Sequence, residues 1–413
     1  MKGIHTAQYT LIAPFFITCL GIVLTSDLAH ARDSVGDLNA HFIEPGDFAG
    51  AYKVMGKSKV PVSIAVGGYI KAVAITDNRS ERNDTYFRPS LLSETDTEGH
   101  SQLNANFTRW YLDGRAILPN NTGSVRGYLE TDFYQSQYRL RQAYLTWSND
   151  QHTIIAGQTW TTFQDTSAYP EMIYELAPAG GVLLRQGQFR LTHQISNNMS
   201  YALAIENPSS TDIEFTATNN KDITVQPDLT AHVRWNITNA IHFQFSGLLR
   251  DLAEKNITTG NTTSALGYGT HISGSWIFSN NDKLAWSFLY GDGIGRYLIG
   301  ASSFVGGNSG YIDTNGRLQS RQAMGGYASY KHFWNPAWRS NIVVGMSKQD
   351  EVSNAMTSDN FESATFISAN IFWHPNKVIN TGVEITFGES EFEAQGINDT
   401  RDNTRIALVI QLF

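Results

Sequence analysis

Cysteine is all but missing: one residue among 413, Cys19, and it lies in an apolar N-terminal stretch. The rest of the chain therefore has neither a disulfide framework nor a catalytic thiol to draw on. Beyond that stretch no apolar run approaches the roughly 18 to 20 residues that a membrane helix needs. Charge is sparse at 16% of residues, and the formal net charge of −8 lacks the basic footprint of a nucleic-acid binder. Histidines are scattered singly, without metal-ligand spacing, so no metal and no cofactor is expected. A nucleophile elbow is missing too, because Ser309 has Gly307 two residues before it but Tyr311 two residues after. Gly291-Asp292-Gly293-Ile294-Gly295 lacks the last glycine and the parallel-strand setting of a dinucleotide loop. Asp313-Thr314-Asn315-Gly316 reads as a plain turn. An enzyme is not expected.

What is present begins with an export signal over residues 1–31. Lys2 supplies the positive start, Leu11 to Leu24 the apolar stretch, and Ala29-His30-Ala31 a small-x-small cleavage site. Pro14 and the short length argue against a membrane helix there. Residues 32–61, with Pro45-Gly46-Asp47-Phe48 and Lys53, Lys57 and Lys59, read as an extended periplasmic leader packing on the first strand or, more plainly, as a linker with no binding role.

From Val62 onward the dominant signal is alternation of apolar and polar residues. Ile241, Phe243 and Phe245 oppose His242, Gln244 and Ser246; Ile379, Val383, Ile385 and Phe387 oppose Asn380, Glu384 and Thr386. Together with 35 glycines and 12% aromatics, this predicts an all-β, closed antiparallel transmembrane barrel over 62–413 with one face in lipid and one in water. Sixteen strands are expected at 62–76, 100–117, 122–134, 138–149, 152–160, 185–195, 198–207, 228–237, 240–252, 264–279, 282–294, 319–333, 337–350, 361–373, 377–389 and 402–413. Connections after even strands are short and rich in Asn, Asp and Pro, as in Ser196-Asn197-Asn198 and Trp334-Asn335-Pro336, and are placed in the periplasm. Those after odd strands are mostly long, including 77–99, 161–184, 208–227, 295–318 and 390–401, and are placed outside or in the pore. Phe413 supplies a terminal aromatic, yet Gln411 shares its face while Ile406, Leu408, Ile410 and Leu412 form the greasier one, leaving the register of the last strand open.

A guanidinium facing hydrocarbon costs about 2–4 kcal/mol at mid-depth, so strand arginines should line water. Arg139 and Arg141 lie two apart on one strand and point the same way. Arg126, Glu130 and Asp132 fall on the neighbouring strand, and Arg109, Arg185 and Arg190 belong to the same third of the chain. Such arginines either form a ladder that passes carboxylates along the wall or a salt-bridge girdle with Glu130 and Asp132; the sequence leaves both readings open. The connection 161–184, carrying Asp165, Glu171 and Gly180-Gly181, is read as a loop folded into the barrel, its acids opposite the wall arginines.

Gly67-Gly68-Tyr69-Ile70-Lys71, Leu140-Arg141-Gln142-Ala143-Tyr144, Ala156-Gly157-Gln158-Thr159-Trp160-Thr161-Thr162-Phe163-Gln164-Asp165 and Gly291-Asp292-Gly293-Ile294-Gly295-Arg296-Tyr297-Leu298 resemble the DcaP-like porins, in order over most of the chain. The resemblance implies a homotrimeric outer-membrane porin favouring small anionic solutes, dicarboxylates in particular. It implies solute contacts at Lys71, Arg139, Arg141 and Arg296, with Asp165 on the constricting loop. Two departures stand out: residues 32–61 carry no heptad pattern, and Gln142 occupies a position where some relatives carry histidine. The competing readings are a barrel that supports an enzyme or adhesin, and a channel for uncharged solutes.

Overall fold

The computed structural model describes residues 44–45, 50–55, 60–79, 86–92, 95, 97–173, 178–207, 213–214, 220–301, 309–313, 315–350, 360–394 and 397–413. The chain divides into residues 1–44, of which only Glu44 is described, and 45–413, which holds the barrel. The expected signal segment therefore lies outside the described residues.

Sixteen strands form the wall. They are β1 (Pro61–Asp77), β2 (His100–Asn104, interrupted, then Arg109–Ile117), β3 (Ser124–Tyr134), β4 (Gln137–Ser148), β5 (His152–Trp160), β6 (Arg185–Ser196), β7 (Met199–Glu206) and β8 (Asp228–Thr238). There follow β9 (Ile241–Asn256), β10 (Thr262–Ile277), β11 (Lys283–Asp292), β12 (Gln322–Asn335), β13 (Trp338–Gln349), β14 (Asn360–Trp373), β15 (Ile379–Ala394) and β16 (Ile397–Leu412). Each pairs antiparallel with the next, and β16 returns to β1 from Arg405↔Asp77 to Leu412↔Ile70, so the sheet closes. Closure satisfies every ladder without leaving an edge in lipid. The lower part of β1 extends past the end of β16 and is paired there by the short strand Tyr52–Met55, from Tyr52↔Ile64 to Met55↔Pro61.

The wall is inverted relative to a soluble protein. On β9, Phe243, Phe245 and Leu249 are exposed, while His242, Gln244, Ser246 and Arg250 are buried. The same alternation on β16 leaves Ile406, Ile410 and Leu412 outside and buries Asn403, Arg405 and Gln411. This settles the last register: Gln411 opposes Lys71 on the inner face, and the Phe413 ring lies 6.1 Å from that of Tyr69.

The short connections follow from asparagine. Asn149 Oδ1 accepts from the backbone N–H groups of Gln151 and His152, Asn335 Oδ1 from those of Ala337 and Trp338, and Asn376 Oδ1 from those of Val378 and Ile379. One expectation is corrected. Residues 390–394 and 397–401 are strand and not loop, since β15 and β16 stay paired from Ser390↔Arg401 to Ala394↔Ile397. Their Glu, Asn and Asp content reads as loop by propensity, but the ladder already formed along the rest of the two strands carries the pairing on.

Among the described residues, three connections turn into the lumen. Of 78–99, Tyr86 and Phe87 are buried, with Arg405 Nη1 donating to Tyr86 O at 3.0 Å. Of the connection after β11, Tyr297 and Leu298 are buried. The third is 161–184. Its Phe163, Ala179 and Val182 join Ile294, Tyr297 and Leu298 in an apolar cluster inside the barrel.

Candidate functional site

The 161–184 connection is a strap bonded in turn to successive wall strands. Thr162 N donates to Glu206 at the end of β7 (2.7 Å); His232 on β8 bonds Thr162 O and His271 on β10 bonds Phe163 O, each at 2.8 Å. Asp165 meets Arg234 of β8 at 3.1 Å, His242 of β9 at 2.7 Å and Ser273 of β10 at 3.0 Å. Lys283 of β11 then donates to Ser167 O. Glu171 takes Arg339 Nε of β13 on both oxygens, at 3.0 and 2.9 Å, and Lys331 of β12 at 3.1 Å. Ile173 bonds Glu384 of β15 through its N–H and Lys71 of β1 through its carbonyl.

The strap's return is received by glycine. Gly180 has φ +87, and a Cβ there would lie 2.0 Å from Met346 O and 2.3 Å from Gly326 N. Only glycine allows both that backbone angle and that approach.

Burial works to raise the carboxyls of Asp165 and Glu171, but their partners outweigh it. His242 and Arg234 hold Asp165 well below the usual carboxylate range, and Arg339 and Lys331 bring Glu171 down to about 2.

Strands β2 to β6 carry the facing charge. Arg139 donates to both oxygens of Asp132 at 2.9 and 2.7 Å, while Arg141 bridges Glu130 and Asp132 at 2.6 Å each. A bulge makes this double use possible. Glu130 opposes Gln142 and Thr131 opposes Leu140, leaving Arg141 as the extra residue. Arg109 Nε is 3.7 Å from Glu130 and its guanidinium lies over Tyr69. Arg185 stacks on Trp160 at 4.7 Å; its Nη1 is buried without a hydrogen-bond partner. Four guanidiniums (109, 139, 141, 185) thus face two carboxylates (130, 132), an excess of two positive charges.

A cavity of about 280 Å³ lies between this wall and the strap. Arg109, Asp132, Arg141 and Arg185 line one side, and Gln164, Thr166, Tyr169 and Glu171 the other.

Of the residues expected from sequence, Arg109, Arg141, Arg185 and Glu171 meet at this cavity, with Arg139 behind it on Asp132. Lys71 and Asp165 instead fasten the strap. Arg126 pairs with Asp113 and touches Tyr144. Arg190 is bonded to Gln188 and Trp160 O, and Arg296 to Gln186. Arg234, His242, Lys331 and Arg339 escaped sequence reasoning. The carboxylates that give them a role, Asp165 and Glu171, lie on one loop far away in sequence.

A closed antiparallel barrel with an apolar outer face and a polar lumen crossed by a loop has the fold of the outer-membrane channels. The chain belongs to the DcaP outer membrane protein family, whose model it matches over residues 74–408, and it is an outer-membrane protein. It resembles the outer membrane channel DcaP of Acinetobacter baumannii (TM-score 0.74, 20% identity, 87% of this chain and 99% of that one). Two others are OmpT of Vibrio cholerae (0.54, 10%, 87% and 99%) and Salmonella typhi OmpF in complex with daunomycin (0.53, 12%, 87% and 100%). No curated protein sequence matches the chain.

Proposed function

We propose that this protein is a passive porin for small anionic solutes, dicarboxylates among them, with no catalytic turnover. The observation that carries the reading is the excess of two positive charges on the wall at the cavity, one of them the unpaired Arg185. A guanidinium binds a carboxylate through paired hydrogen bonds, and rings of Arg or Lys favour anions in pores. The strap would act as the constriction, and its acids, pinned to the opposite wall, would complete a transverse field.

In this reading residues 1–31 are a cleaved signal, 32–61 a periplasmic extension and 62–413 the porin domain, set among outer-membrane lipids as a homotrimer. A form of OmpT described as a trimer is among the proteins of similar fold. Reversal potentials of the purified protein in a KCl gradient test the proposal. Chloride preference is expected in wild type and a weaker one after Arg139 and Arg141 are both replaced by Gln; potassium preference in wild type, unchanged in the double variant, would overturn it.

A further inference from the structure

Resting on the anion-channel reading, we propose that Gln164 and Arg185 form a two-point subsite that selects small carboxylates carrying a neutral hydroxyl or amide over carboxylates that lack one. Both side chains line the cavity between strap and wall. Gln164 is 7% exposed, and its Oε1 is buried without a hydrogen-bond partner. Arg185 lines the same cavity, its guanidinium over the face of Trp160 and its Nη1 buried without a hydrogen-bond partner among the described residues. One group is a cation suited to a carboxylate. The other is a neutral amide, which can accept from O–H or N–H and donate to oxygen.

The amide is held in place for this work. Gln164 N donates to Thr161 O at 3.2 Å and Gln164 O accepts from Gln244 at 3.3 Å. Its neighbours Phe163 and Asp165 are both buried and bonded to the wall. The fixed backbone keeps the amide at the cavity, where a solute or a water can supply the partner that Oε1 lacks.

The charge pattern decides which second group is favoured. An ammonium would have to sit among Arg109, Arg141 and Arg185, and Glu171, the strap carboxylate that lines the cavity among the described residues, is already taken by Arg339 and Lys331. A neutral hydroxyl or amide meets no such repulsion. Size sets the upper limit: a cavity of about 280 Å³ falls just below the pockets that hold drug-sized ligands, so it suits short-chain or single-ring acids.

The test compares potassium lactate with potassium propionate, which differ by one hydroxyl and are both ionised at pH 7. Bi-ionic reversal potentials against chloride give each permeability. In wild type the lactate-to-propionate ratio should exceed the ratio of their free mobilities by about two- to tenfold, the worth of one neutral hydrogen bond. Gln164→Met keeps the length and removes the amide, and should bring the ratio down to that mobility ratio; Gln164→Asn should fall between. Arg185→Gln should lower both acids. Heat-shifted electrophoretic mobility verifies that each barrel is folded. Equal ratios in wild type and Gln164→Met, or a wild-type ratio equal to that of mobility, would overturn the subsite while leaving anion preference intact. A wild type that prefers potassium to chloride overturns the anion reading, and the subsite with it.

Discussion

Arg185→Gln isolates the charge that the wall does not neutralise. The guanidinium has no carboxylate partner among the described residues, so its replacement removes one net charge from the cavity and leaves no carboxylate stranded. A unit charge acts on an ion 4 Å away with about 1 kcal/mol in bulk water and about 4 kcal/mol where the effective dielectric constant is near 20. The water value is the lower bound, and at about 8 Å it halves to roughly 0.5 kcal/mol. An anion gains that amount and a cation loses it, so the ratio of their permeabilities carries about 1 kcal/mol, or roughly fivefold. Salt does not erase the effect at this range, because the Debye length at 0.1 M is about 10 Å. Reversal potentials across a tenfold KCl gradient should therefore show the chloride-to-potassium ratio falling about fivefold or more. Arg126→Gln provides the comparison. Arg126 lies six residues along β3 from Asp132, about 20 Å at 3.3 Å per residue, and its shift should be smaller. A change under twofold for Arg185→Gln, or an equal one for Arg126→Gln, refutes the reasoning.

Glu171→Gln frees Arg339 and Lys331 and unfastens the strap from β12 and β13; losing these charged hydrogen bonds at a partly exposed site costs about 1.5–3 kcal/mol, and single-channel records should show larger, noisier conductance. The strap should also resist acid. Because Glu171 is depressed from 4.5 to about 2, its contribution of about 3 kcal/mol is fully present above pH 4.5 and lost as pH falls toward 2. Asp165 is depressed as well, so the sign is the same; conductance at pH 4.5 should match that at pH 7, and loosening already at pH 6 would contradict the assignment. At the closing seam, Asp77→Asn removes the carboxylate that takes Arg405 Nε at 2.6 Å in a pair exposed by only 1% on each side. A loss of about 3–5 kcal/mol is expected, read as a lower temperature for the heat-shifted band.

The barrel was legible because its signals are local. Alternation such as Phe243 and Phe245 against His242 and Gln244 repeats along each strand, and asparagines at 149, 335 and 376 mark the turns by chemistry that needs no distant partner. What could not be read is what fills the lumen. Tyr86 and Phe87 look like any loop aromatics until Arg405 and Phe366 meet them from strands hundreds of residues on. The bulge at Arg141 is invisible for the same reason, since an extra residue is defined only by its partner strand. The choice between a ladder and a girdle thus turned on a register that composition does not encode.

The wall holds a girdle of matched charge beside guanidiniums in excess of it, and that division follows from physical cost. Arg139 and Arg141 are bonded to Asp132 and Glu130, and such pairing holds charge at low exposure without leaving it bare. A wall with every guanidinium matched in this way would be stable and nearly neutral, and would select weakly. A wall with none matched would repel itself across neighbouring strands. Two carboxylates among four guanidiniums lie between these limits: the matched pair fixes β3 against β4, and Arg185, resting on the Trp160 ring, supplies field without a bound counter-charge. Neutralising Asp132 by Asp132→Asn should then raise the excess from two to three charges and strengthen chloride preference, while weakening the β3–β4 contact through Arg139 and Arg141. A variant both more anion-selective and less heat-stable than wild type is the expected result. One that loses heat stability while its reversal potential stays fixed would show that the girdle contributes nothing to the field.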